Sequence, residues 1–255
     1  LLLTYPRFIH AEFMTHRVMS RNAASSRAIP FERQLDAMLA NPAVPLHWGA
    51  HQKGMQANRE LEEPERLKAE MTWLDAMNAA AAHATMMHRL GAHKQITNRI
   101  IEPFTHIKVL VSATEWDNFL ELRDHPAAEP HMQLLAQAIK HELDHAPIQT
   151  LDPGHWHLPF VDYSPDDDAD LLDGLIPLCV ARCASTSYKT VDNFDMTMEK
   201  ATELHDQFVH SRPQHASPLE HAALLDDGME MPLWQWAHPH EHANFVGFRQ
   251  YRHMV

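Results

Sequence analysis

Residues Glu65 to Leu90 form the longest periodic stretch of the chain, and they set the terms for its fold. Leu67, Met71, Leu74, Met77 and Ala81 recur along one face, acidic residues open the segment, and Gly91 closes it. A helix of this kind needs something to pack against. Met132, Leu135, Ile139 and Leu143 give a second helical stripe over Glu129–Leu143, and Ala201, Leu204 and Phe208 a third over Thr197–His210. Pro6 suits the first position of a helix, with Ile9, Phe13 and Arg17 following at helical spacing. Thr97–Ile101 begins another helical piece, and Pro103 lies just past it. Leu1–Thr4, Ile107–Val111 and Phe245–Phe248 read as short strands. Ser20–Pro30 reads as a polar loop, Asn41–Gln56 as irregular, and Leu175–Ala184 as apolar again. The 255 residues, 45% apolar, suffice for one sizeable core or one core with a smaller lobe. Leu1 stands inside an apolar stretch without Met, so a short preceding segment, a strand, is expected.

The formal charge of −13 argues against a duplex-binding surface, because neutralising phosphates needs a basic face. An anionic ligand then requires arginines gathered locally against the overall field. No apolar run approaches the ~20 residues that span a bilayer, so no membrane partner is expected. Two cysteines, Cys179 and Cys183, read as buried small side chains and fit a reducing, cytoplasmic setting. The acidic run Asp166–Asp170 lacks the glycine and glutamate of a calcium loop and reads as a solvated connector. His141-Glu142-Leu143-Asp144-His145 is a literal H-E-x-x-H, the pattern of a zinc hydrolase. With 22 histidines in the chain such a match arises easily by chance. At ~100° per residue the pair also points away from the Met132–Ile139–Leu143 stripe. His155-Trp156-His157 and His238–His242 read as solvated loops, and no metal site is expected.

The segment Thr15–Arg27 combines a helix end, a tight polar loop, the pair Ser25-Ser26 and Arg27. Such a loop can offer N–H and hydroxyl groups to a phosphate while an arginine fork clamps it. On the residues alone, a capped helix end with solvated arginines fits equally well.

This segment resembles the signature of the flavin-dependent thymidylate synthases: Arg-His-Arg, seven residues, then Ser, with Arg two positions on. Here Thr15-His16-Arg17 is followed by Ser25 and Arg27, with Thr15 in place of the first arginine. Two further stretches resemble the same family. His93–Pro103 carries Arg99 before a short apolar run and a proline. Ser112–Arg123 is similar to Asn-Ala-Arg-x-x-x-Asn-Phe-x-x-x-Arg and retains Asn118 and Arg123, while Ser112 and Thr114 replace an Asn and an Arg. A third block, His215-Ala216-Ser217-Pro218-Leu219-Glu220-His221, resembles His-x-Thr-Pro-x-Glu-His. Arg182–Tyr188 resembles Ala-Arg-Val-Ser-Tyr. In the family this block precedes the signature; here it follows, so the chain looks circularly permuted. The tail Arg249-Gln250-Tyr251-Arg252-His253 is similar to the family's Arg-Gln-x-x-Arg-His and offers a substitute for the arginine missing at Thr15.

The resemblance implies an α/β (α+β) fold, a mixed sheet packed by long helices, assembled as a homotetramer with sites between subunits. Residues 1–150 would carry the signature and nucleotide site, 151–174 an acidic connector, and 175–255 the flavin part of the same domain. It implies reductive methylation of dUMP to dTMP with methylenetetrahydrofolate, FAD and NADPH. Arg123 would stabilise charge on the uracil carbonyls. Ser25, Ser26, Arg27, Arg99, Gln250 and Arg252 would bind the nucleotide with it. His16, Arg17, Asn118, Ser187, His215, Ser217 and Glu220 would bind the flavin. Ser25 is the one candidate that could be taken for a nucleophile, but no His–carboxylate partner for it is visible. The alternatives are a nucleotide-binding relative without flavin chemistry, or the zinc hydrolase.

Overall fold

Residues His106 to Ser112 alternate in character, and that alternation organises the chain. Ile107, Val109 and Val111 are apolar, and His106 and Lys108 stand between them. In a strand such residues face opposite sides. The computed structural model describes residues 1–164, 169–185, 196–229 and 234–255. Its first half runs β1 (Leu2–Pro6), the short α1 (His10–Phe13), β2 (Ser20–Ala23), α2 (Phe31–Ala40), α3 (Glu65–Arg89), α4 (Lys94–Ile101), β3 (His106–Ser112), α5 (Asp117–Arg123) and α6 (Pro130–His145). The second half runs β4 (Trp156–His157), α7 (Ala169–Ala184), α8 (Met198–His210), β5 (Ala223–Leu225), β6 (Gly228–Met229), β7 (Gln235–Trp236) and β8 (Phe248–Gln250).

β3 is the centre of a three-stranded sheet, β1-β3-β2, antiparallel on both sides. Leu3 pairs with Val109 and Tyr5 with Ile107. Arg21 pairs with Val111 and Asn22 with Leu110. The odd-numbered face carries Leu3, Tyr5, Ile107, Val109 and Val111 into the main core. There they meet Phe13, Phe119, Met132 and Ile139 from the helical segments around them. Leu110, on the even face, packs instead with Trp156, Cys179 and Cys183. A second helical core joins α2, α3 and α4 through Phe31, Met38, Met77, Ala84 and Ile101.

The α/β class holds, and the described strand pairings are all antiparallel, in three small sheets. The long helix, α4 and α6 fall close to their expected positions, and Gly91 takes φ 86° where the long helix stops. Three expectations are corrected, and one helix was not expected. The helix after Pro6 ends at Phe13, before His16 and Arg17. The loop read at Ser20–Pro30 begins as a strand, because Ser20 and Asn22 spend their polar side chains on tertiary partners. α2 had no counterpart in the sequence reading. The final strand lies at Phe248–Gln250, three residues beyond the expected start.

The connector is not merely a solvated linker. Its Trp156–His157 pairs with β5, and β5 pairs with β8. α7 begins inside it at Ala169 and runs through Pro177. Since Leu110 shares a cluster with Cys179 and Cys183, the two halves of the chain share a core. The cysteines are buried and not joined as a disulfide, their sulfurs 4.0 Å apart, and burial pushes the Cys183 thiol up. Ser187 and Asp166–Asp168 lie outside the described residues. No described helix is long and apolar enough to cross a membrane.

The buried carboxylate of Asp226 ties down the C-terminal segment. It accepts the His238 N–H and Nδ1–H, both at 2.8 Å, and His242 Nε2–H at 2.9 Å. Those donors hold its pKa down to about 2 against the burial that would raise it.

Phe119 is 2% exposed and meets Phe13 and Trp116 edge-on, at centroid distances of 5.9 and 6.2 Å. Phe119→Ala should cost about 3–5 kcal/mol, read as a lower urea midpoint with an unchanged slope.

Candidate active site

Strand β2 is where the separate stretches meet. The segment leading into it carries His16, which is 9% exposed and stands edge-on to Phe119, ring centroids 4.8 Å apart. Arg123, at the end of α5, donates its Nε–H to His16 Nε2 at 2.8 Å and pairs with Glu12 through NH1. Burial lowers the His16 pKa, and Arg123 and Arg21 add to the shift. A neutral His16 accepting at Nε2 keeps its proton on Nδ1. The guanidinium is thus held by its Nε and one NH1 hydrogen, and three of its five N–H groups remain for a ligand.

At the other end of β2 the serine loop packs against α4. Asn98 Nδ2 donates to the carbonyls of Ser26 at 2.7 Å and Ile29 at 3.0 Å. Ser26 Oγ donates to Glu102, which Arg7 approaches at 3.2 Å and Arg99 at 3.8 Å. Arg99 is 63% exposed, so its tether to Glu102 is loose. Ser25 and Arg27 make no side-chain hydrogen bond or ion pair among the described residues.

The third block closes on the same strand from the other direction. Ser217 Oγ donates to Asn22 Oδ1 at 3.0 Å, and Asn22 Nδ2 donates to the Cys183 carbonyl at 2.6 Å. Gln250 is fully buried. Its Nε2 bonds Ser20 Oγ at 3.0 Å and Asn244 Oδ1 at 2.9 Å, with a longer contact to the Glu220 carbonyl. From there Gln250 positions β2. Arg252 pairs with Glu220. His215 is stacked on Phe208 at 5.4 Å.

Each block therefore touches the signature segment, and Arg99 and Arg123 are tethered to different carboxylates, Glu102 and Glu12. Arg17 and Asn118 are exposed and without a partner among the described residues. Glu12, Asn22 and Glu102 were not among the predicted site residues. Glu102 stands three residues after Arg99, a spacing that brings charged partners together on a helix, whereas the partner of Glu12 is Arg123, 111 residues away. That spacing was the signal available.

A flavin needs room, hydrogen-bond partners for its ring edge and a polar opening for its phosphates. A cavity of about 510 Å³ is lined by Asn22, Phe208, His215 and Pro218. These features fit such a group.

The model for the thymidylate synthase complementing protein family matches residues 1–147. The chain belongs to that family. It is a family of nucleotide-synthesis enzymes acting on small substrates. The match contains the signature, Arg99 and Arg123, and the third block lies beyond it. Comparison with curated proteins gives no match. His141 and His145 of the H-E-x-x-H stack on each other, exposed on α6, and His145 Nδ1 bonds the His141 carbonyl at 2.8 Å. No group of three or more His, Cys, Asp or Glu side chains is placed to hold a metal ion among the described residues.

His221 sits inside the third block, its Nδ1 3.0 Å from Ser112 Oγ and its Nε2 buried without a partner. Burial above all lowers its pKa to about 3. The unfolded chain takes up this proton near the ordinary pKa of about 6.5, and the folded one does not. Stability should therefore fall as pH drops below about 6.5, by about 2 kcal/mol at pH 5 from this group. Urea unfolding from pH 8 to 5 checks it, and His221→Asn should flatten the slope.

Proposed function

We propose that this chain is a flavin-dependent thymidylate synthase, methylating dUMP to dTMP with methylenetetrahydrofolate, FAD and NADPH. The observation that carries this reading is the Arg123–His16 hydrogen bond, which seats the α5 arginine on the signature segment. Arg123 binds a uracil carbonyl with its remaining N–H groups and stabilises negative charge developing there. Glu12 and neutral His16 fix its orientation before substrate arrives. Ser25, Ser26, Arg27 and Arg99 bind the phosphate. Glu102 is already matched by Arg7, which tempers its repulsion of that anion. Arg252, held by Glu220, joins the nucleotide site, and Gln250 shapes it from behind.

His16, Arg17, Asn118, His215, Ser217 and Glu220, with Ser187, hold the flavin. When bound, the flavin supplies the hydride and the one-carbon relay from folate to uracil C5. No protein nucleophile is needed. Ser25 bonds no base among the described residues, which supports a binding role for it. Arg99 and Arg123 are tethered beyond opposite ends of β2, beside Ser26 and His16, which supports sites shared between subunits of a homotetramer. The buried cysteine pair, not joined as a disulfide, supports a cytoplasmic setting. The packing of the third block on β2 supports a permuted order of the family's segments.

A second reading rests on the three substituted positions. Thr15 Oγ1 bonds the Glu12 carbonyl, Ser112 Oγ bonds His221, and Thr114 Oγ1 accepts the Val246 N–H at 2.8 Å. Each side chain is occupied internally, as in a relative that binds the nucleotide without flavin chemistry. Colourless protein that binds dUMP would favour this second reading. Yellow protein converting dUMP to dTMP supports the first. In that assay Arg123→Ala should lower turnover by about 100-fold or more while flavin absorbance remains. Unchanged turnover removes Arg123 from the site. Ser25→Ala should keep measurable activity; complete loss with intact dUMP binding would reinstate covalent catalysis.

A further inference from the structure

The long helix α3 is apolar on two sides. One side carries Met77 and Ala84, with Trp73, Leu74 and Ala81, into the second helical core. On the other side Leu67, Met71, Ala79, Ala82, Met86 and Leu90 stand exposed, Met71 by 65% and Leu90 by 79%. At about 100° per residue these six fall within one arc of about 140° around the helix. Single exposed apolar side chains need no cover, but a row that runs the length of a 25-residue helix marks a surface made to be buried.

The order of residues along α3 identifies what covers it. Met71 lies as far before the Ala80–Ala81 bond as Leu90 lies after it; Asp75 mirrors Met86, and Ala79 mirrors Ala82. An antiparallel copy of the same helix therefore sets Met71 on the partner's Leu90 at both ends, with alanine on alanine at the crossing. The charges share this symmetry with opposite sign. In the first half Glu65, Glu70 and Asp75 outweigh Lys68, and Arg66 is held by Glu63 and Glu70. The second half carries His83 and Arg89, and no carboxylate follows Asp75 until Glu102. Asp75 and Arg89 make no ion pair among the described residues, and the antiparallel pairing brings Asp75 within a turn of the partner's Arg89. A parallel copy would set acid on acid. We propose that α3 pairs antiparallel with the α3 of a second copy of this chain, about a two-fold axis level with Ala80 and Ala81. The pairing supplies one of the interfaces that a homotetramer requires; it rests on the reading above for the assembly alone and needs none of the flavin chemistry.

Sedimentation velocity of the full chain tests this. The unaltered protein should sediment as a dimer or larger. The variant carrying Met71→Glu and Leu90→Glu should sediment at half that mass with an unchanged far-UV circular dichroism spectrum. Met71→Glu combined with Leu90→Lys should recover the full mass at low salt and lose it at high salt, because opposite charges then meet across the two-fold. Leu46→Glu with Met55→Glu, at apolar positions just as exposed but off α3, should leave the mass unchanged. If the first variant fails to fold, Met86→Glu alone, set against the partner's Asp75, carries the same test. The proposal is overturned by a monomeric unaltered chain, by full mass in the glutamate variants, by no recovery with Leu90→Lys, or by equal dissociation in the Leu46 and Met55 control. Flavin absorbance and dUMP turnover of the unaltered protein read the enzyme separately: their absence leaves the pairing standing, and an unchanged mass leaves the enzyme reading standing.

Discussion

The carboxamide of Asn22 holds together parts of the chain that sequence keeps far apart. One end receives Ser217 and the other donates to the carbonyl of Cys183, so one side chain fixes the third block and α7 to β2. Inside a protein a neutral pair of this kind is worth about 1 kcal/mol each net, and far more is lost if one partner is left unmet. Gln250 repeats the device two residues earlier on β2, through Ser20 and Asn244. The candidate site depends on these amides more than on its charged groups, because they decide where the charged groups stand.

The arginines follow a single pattern. Glu12 holds Arg123, Glu102 holds Arg7 and approaches Arg99, and Glu220 holds Arg252. Each pair is partly exposed and contributes little stability, at most about 1 kcal/mol. What each does is limit the directions in which a long side chain can point. Arg27, Arg17 and Arg33 have no such carboxylate among the described residues, and they remain free to meet an incoming anion. The excess of acid in this chain is thus compatible with anionic ligands, provided the acids are placed behind the arginines.

The sequence disclosed the parts with strong periodicity. The long helix, α4, α6 and α8 were legible because apolar residues recur at helical spacing over several turns. β3 was legible from its β-branched run. α2 was not, since Phe31, Gln34 and Met38 are buried against α4 and its neighbours by tertiary contact, with no capping residue to announce the helix. β2 was missed because Ser20, Arg21 and Asn22 are loop-like in composition and become a strand only through β3 and Gln250. Of the site, the signature spacing could be read directly. The role of Glu12 or Glu102 could not, because an acid beside an arginine in sequence is ordinary until the fold aims one at the other.

β3 has a further consequence for how the chain reaches its native state. Its two faces are chemically opposed at residues 106 to 109, and both neighbours are antiparallel strands. A slip of one residue against β1 would turn His106 and Lys108 into the space now filled by Phe13 and Met132, and expose Val109 to water. Misregistered pairings are therefore penalised as the helices pack on this face.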